Sequence, residues 1–129
     1  MKQAIVILAA FAAACTGADE RQESRATTWR PVASWSGRGD TTLETFPIGA
    51  GRLRFHWETR NVSPMGAGRF HVRLHSADSG RVLEDVVDIR GTSADSREIL
   101  DDHQRFYLSV ESANVDWTLR VEEGLAARR

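Results

Sequence analysis

Apolar and polar residues alternate with a period of two in several stretches of the chain, most regularly from Arg105 to Glu123. Phe106, Leu108 and Val110 share one parity, and Val115, Trp117, Leu119 and Val121 share one further on. Ser109, Glu111, Asp116, Thr118, Arg120 and Glu122 take the other face. Successive side chains of a strand point to opposite faces, so this pattern predicts two half-buried strands. The short polar turn at Ser112-Ala113-Asn114 predicts that they pair as a hairpin.

The same reading extends over the preceding residues. Leu53, Phe55 and Trp57 alternate with Arg54, His56 and Glu58 in 52–59, and Phe70, Val72 and Leu74 alternate with His71, Arg73 and His75 in 69–76. The breaker-rich stretch 61–68 between them predicts a second antiparallel pair. Upstream, 29–35 contains Pro31 and suits an edge strand, 36–40 reads as a turn, and 41–48 as a strand ended by Gly49-Ala50-Gly51. Asp78-Ser79-Gly80 is a further turn. In 81–90, Val82, Leu83, Val86 and Val87 recur at helical spacing, but the flanking turns and strands favour an extended segment. Residues 91–96 read as loop, 97–100 as a short strand and 101–104 as a polar turn. About eight short strands at this spacing predict an all-β fold, a two-layer antiparallel β-sandwich of jelly-roll or Greek-key type over 28–125. Trp35, Trp57 and Trp117 are expected to fill its core, and 126–129 to fray.

The N-terminus changes the picture of where the domain resides. Residues 1–14 pair one lysine with an apolar run from Ala4 to Ala14 and read as a signal peptide rather than structure. Ala12-Ala13-Ala14-Cys15 resembles the bacterial lipobox, in which the cysteine is acylated and becomes the new N-terminus. Cys15 is the only cysteine, so it closes no internal disulfide. Ordinary cleavage after Ala14 is the alternative. Residues 15–27 then form a lipidated, polar, flexible tether. The expected destination is the cell envelope, with the membrane as partner through the anchor on Cys15, at the outer membrane or periplasm if the cell is diderm. A net charge of -1 gives no general attraction for nucleic acid.

The elements Trp35-x-Gly37-x-Gly39, Thr42-x-x-x-Phe46-x-Ile48, the Leu53-x-Phe55-x-Trp57 strand and the run from Phe106 to Val121 resemble small β-sandwich domains of bacterial secreted lipoproteins. They are distantly similar to pre-peptidase C-terminal domains. The resemblance implies fold and location and no reaction.

Candidate chemistry is sparse. Outward parity places Arg54, His56, His71, Arg73 and His75 in one possible ligand patch. Same-face residues two apart on a strand are about 7 Å apart, too far for His71 and His75 to share an ion with zinc-like geometry. No metal, cofactor or catalytic set is therefore expected. The acidic pairs Glu84-Asp85 and Asp101-Asp102 lack the oxygen density of a calcium loop, and no G-x-S-x-G is present. Trp29 and Tyr107 could present rings to a sugar. The leading expectation is a non-catalytic, lipid-anchored binding or structural module whose partner is an envelope protein or glycan. A carbohydrate- or peptide-binding domain is the alternative, and a small secreted hydrolase the third.

Overall fold

The computed structural model describes residues 27–64 and 66–126. The signal peptide, Cys15, nearly all of the tether and residues 127–129 lie outside them. Nine strands and no helix occur among the described residues: β1 (Thr27–Arg38), β2 (Thr41–Thr42), β3 (Phe46–Pro47), β4 (Arg52–Asn61), β5 (Arg69–Ser76), β6 (Val82–Arg90), β7 (Ser93–Leu100), β8 (Arg105–Ala113) and β9 (Val115–Ala126). A front sheet runs β1-β9-β4-β7. A back sheet runs β2-β8-β5-β6, with β3 also on β8. β2 and β3 are one strand interrupted at 43–45, since both pair antiparallel with β8. Counted so, eight strands follow the jelly-roll order.

The parities hold. Leu53, Phe55, Trp57, Trp117, Leu119 and Val121 from the front sheet meet Phe70, Val72, Leu74, Phe106, Leu108 and Val110 from the back sheet in one buried core. The pairings differ from expectation. β8 and β9 do not form a hairpin. They lie in different sheets, and the chain turns between them at Asn114, whose φ of 59° is left-handed. Asparagine tolerates that backbone, and its side chain fixes the corner by accepting from Ser63 N and Oγ (3.1 and 3.0 Å) and donating to the carbonyls of Ser63 and Gly66. Gly68 packs so closely on this corner that a Cβ would stand 2.6 Å from Val115 Cγ1. β4 and β5, the second expected pair, are likewise split between the sheets.

Two strands depart from their local signals for physical reasons. β6 is extended, and its helical spacing comes from two register shifts against β5: Val86 and Leu83 are each skipped in the pairing. Each extra residue resets parity, which lets both Val86 and Val87 be buried. β7 begins at Ser93, not 97. Its small polar residues sit on an exposed edge with no apolar alternation, yet pair with β4 from Ser93↔Thr59 to Leu100↔Arg52. Arg97 closes the open side of the sandwich by donating to the Asp85 and Val86 carbonyls and to Glu84 (3.1 Å). β1 is an edge strand, as Pro31 requires. Gly37 lets the Trp117 indole lie against it, a Cβ there being 3.0 Å from the ring.

Candidate functional site

The five residues of the expected patch do not meet. Arg54 and His56 stand on the outer face of the front sheet, whereas His71, Arg73 and His75 stand on the outer face of the back sheet. The three histidines cannot converge on one ion. Among the described residues no group of three or more His, Cys, Asp or Glu side chains is placed to hold a metal.

The back-sheet face is a lattice of ion pairs in which His71 Nδ1, though buried, makes no hydrogen bond among the described residues. Register sets His71 opposite Glu111 on one side and Asp88 on the other, and Arg73 opposite Asp85. His71 is buried, unlike the exposed imidazole its parity suggests. Its Nε2 lies 2.8 Å from Asp85 and its Nδ1 3.5 Å from Glu111, while Arg73 spans the same two carboxylates at 3.6 and 3.7 Å. The hydrogen bond from His71 holds the Asp85 carboxyl below its ordinary range. Tyr107 stacks on His75 at 4.5 Å. His75 Nδ1 donates to the Gly80 carbonyl (3.2 Å), which leaves Nε2 to accept from the Ser109 hydroxyl (2.8 Å). That pair has the first two parts of a nucleophile–base set. Ser109 stands mid-strand, paired on both sides to Arg73 and Thr42, so the ladders there take up backbone N–H groups that could serve an oxyanion hole.

The front-sheet face carries a groove. One cavity of about 800 Å³ is lined by Ser34 and Ser36 of β1, Thr118 and Arg120 of β9, His56 and Glu58 of β4, and Ala94 and Asp95 of β7. A second of about 640 Å³ continues it over Arg38, Arg60, Ser93 and Asp116, sharing Ser36, Glu58, Ala94 and Thr118. The groove thus crosses all four strands. Pairing of β9 to β4 and of β4 to β7 sets its rows: Glu58 faces Thr118 and Ala94, and His56 faces Arg120 and Ser96. On β1, Val32 and Ala33 both pack on the core, so parity switches there.

Ion pairs close both ends of this face. Toward one end Arg38 donates to both oxygens of Asp116 (2.6 and 3.0 Å), lowering that carboxyl and raising the guanidinium. Toward the other, His56 and Arg54 both donate to Glu122 Oε1 (2.7 and 3.0 Å). Burial pushes Glu122 up, but those hydrogen bonds together hold it below its ordinary value. Arg54 also lies 4.1 Å over the Trp29 ring. Tyr107 is on the opposite sheet, so the two aromatic candidates do not share a groove. Of the sequence candidates only His56 lines the cavities. Ser34, Ser36, Glu58, Thr118 and Arg120 carried no local signal, because only register and sheet order bring them together.

Two of the remaining acidic candidates are in use. Glu84 holds Arg97, and Asp101 Oδ1 accepts from His103 N (2.8 Å) and Nδ1 (2.6 Å) in its own turn.

No family model and no curated protein matches this chain. Among solved structures it is similar to a Bacillus endospore appendage pilus protein, at 11% identity over 78% of this chain and 90% of the other, with a TM-score of 0.43. It is similar at 11% identity to the CBM22-1 xylan-binding domain from Paenibacillus barcinonensis Xyn10C, covering 78% and 86% with a TM-score of 0.40. TmCBM61 in complex with β-1,4-galactotriose aligns at 15% identity over 76% and 70%, with a TM-score of 0.35. What this chain displays is a small β-sandwich, and no pre-peptidase C-terminal likeness emerged. Identities this low carry no ligand across.

Proposed function

We propose that this domain is a non-catalytic binding module that holds a glycan in the front-sheet groove. The observation that carries the reading is the groove's composition at its position: hydroxyls, carboxylates and guanidinium groups above a sheet whose backbone is consumed in its own ladders. A peptide that binds as an added strand needs a free backbone edge, which the face of a sheet does not offer. A polyhydroxylated chain needs the side-chain donors and acceptors that are present. Trp35 and Trp57 contribute little stacking: Trp35 tilts against Phe46 (5.8 Å), and Trp57 is buried.

The test is retention of the full chain, solubilised in detergent, on a panel of immobilised polysaccharides. Retention on at least one, lost in both Arg120→Ala and Glu58→Ala with unchanged circular dichroism, is expected. Retention that survives both substitutions would remove the groove as the site, and no retention anywhere on the panel would remove the reading.

The module is proposed to be exported and held at the envelope through acylated Cys15. No helix among the described residues is long and apolar enough to cross a membrane. Cys15→Ser should shift the protein from the membrane fraction to the soluble one. Unchanged detergent partitioning would disprove the anchor and leave the groove untouched.

A further inference from the structure

The groove is balanced in charge and unevenly satisfied. Its lining holds Arg38, Arg60 and Arg120 against Glu58, Asp95 and Asp116. Arg38 and Asp116 hold each other, with Arg60 adding to the positive field on Asp116. Asp95 accepts from the neighbouring Ser96 N (2.8 Å). Arg60 faces Asp116, which leaves the Glu58 and Arg120 side chains with no ion pair or hydrogen bond among the described residues. Both are exposed. Glu58 is opposite Thr118 and Arg120 opposite His56, so the two stand on a cross-strand diagonal. Diagonal neighbours are about 7–8 Å apart, within reach of each other's side chains, yet these two do not close into an ion pair. The carboxylate and guanidinium stay open to a ligand lying between them.

We infer, building on the glycan reading above, that the ligand is an uncharged glycan whose neighbouring hydroxyls bridge Glu58 and Arg120. Sugar O–H groups donate to the Glu58 carboxylate, and sugar oxygens accept from the Arg120 guanidinium. Both bonds have a charged partner, the stronger class of hydrogen bond. A uronate or phosphate on the chain would satisfy Arg120 but set an anion beside Glu58 and Asp95. An amino sugar would satisfy Glu58 but set a cation beside Arg120. Of these three classes only a neutral sugar leaves neither group opposed, which is selectivity by repulsion of the wrong partner. Ser34, Ser36 and Thr118 add neutral hydroxyls around the pair.

Calorimetric titration of the detergent-solubilised full chain separates the classes. The probes are neutral xylo-, galacto-, cello- and N-acetylated chito-oligosaccharides, anionic oligogalacturonate and cationic deacetylated chito-oligosaccharide. Binding to at least one neutral probe, roughly tenfold tighter than to either charged one, is expected. Glu58→Gln should move the preference toward oligogalacturonate, and Arg120→Gln toward the deacetylated chain. Preferential binding of a charged probe by the parent chain would overturn the inference while leaving the glycan reading standing. Substitutions that leave the ranking unchanged would overturn the roles of these two residues. Failure of every probe would take the glycan reading down together with the inference.

Discussion

The two outer faces of the sandwich are built from similar residues and end in opposite conditions. Each carries arginines, histidines and carboxylates at every second position of its strands. On the back sheet, register places unlike charges opposite each other, and Asp85, Glu111, Arg73 and His71 are spent within one network. On the front sheet, register sets Arg54 opposite Glu122 and Arg60 opposite Asp116 but places Arg120 opposite a histidine and Glu58 opposite a threonine. Which face is left with binding capacity is thus set by strand pairing rather than by composition.

The largest effect that bears on this contrast is Trp117→Ala. The indole is 2% exposed, lies against Gly37 and donates to the Gly39 carbonyl (3.4 Å), tying β1 to β9 beneath the groove. Truncation should cost about 3–5 kcal/mol, most of the stability of a small domain. A melting temperature within a few degrees of the parent would show that the groove floor does not depend on it.

Next is Glu123, which is buried with Arg30 and the Gly49 N–H (3.2 Å) as partners. Burial raises its pKa, but the hydrogen bonds from Arg30, Gly49 and Ala50 together with the Arg30 charge outweigh that and hold it below its ordinary value. A lowered native pKa means the stability is fully present above the unfolded value, near pH 4.3, and is lost as pH falls through the native one. Glu123→Gln should cost about 1–3 kcal/mol at pH 7 and flatten urea-unfolding stability between pH 5 and 3, a window set by about one unit either side of that value. A variant with the parent's acid slope would show that another carboxyl carries it.

The smallest effect is the sharpest comparison. Arg73→Ala breaks the back-sheet network and should cost up to about 1 kcal/mol, whereas Arg120→Ala should stay within about 0.5 kcal/mol. Equal costs in chemical denaturation would erase the distinction between the faces.

Parity was legible in the sequence and partnership was not. Phe106 to Val110 and Val115 to Val121 point inward as their alternation requires, but period two is the same for a hairpin and for a turn between sheets. Only the left-handed Asn114 and the close approach of Gly68 separate the two, and both need the third dimension. Val82, Leu83, Val86 and Val87 imitate a helix because two bulges reset the strand. Ser93 to Ser96 imitate a loop because an exposed edge strand needs no apolar residues. The patch suffered most: Arg54 and His56 point outward as their alternation requires, but grouping them with His71, Arg73 and His75 requires a pairing the chain does not make.

β9 is the last strand in sequence and occupies the interior of the front sheet, between β1 and β4. Until it emerges, the first strand of the domain has no neighbour in its sheet, and residues as far apart as Leu53 and Glu123 must find each other. Such distant pairing is slow. During synthesis, then, front-sheet assembly waits for the final residues of the domain. For a chain proposed to leave the cytoplasm, late assembly has a use: the domain remains threadable through a translocation pore until β9 has been made.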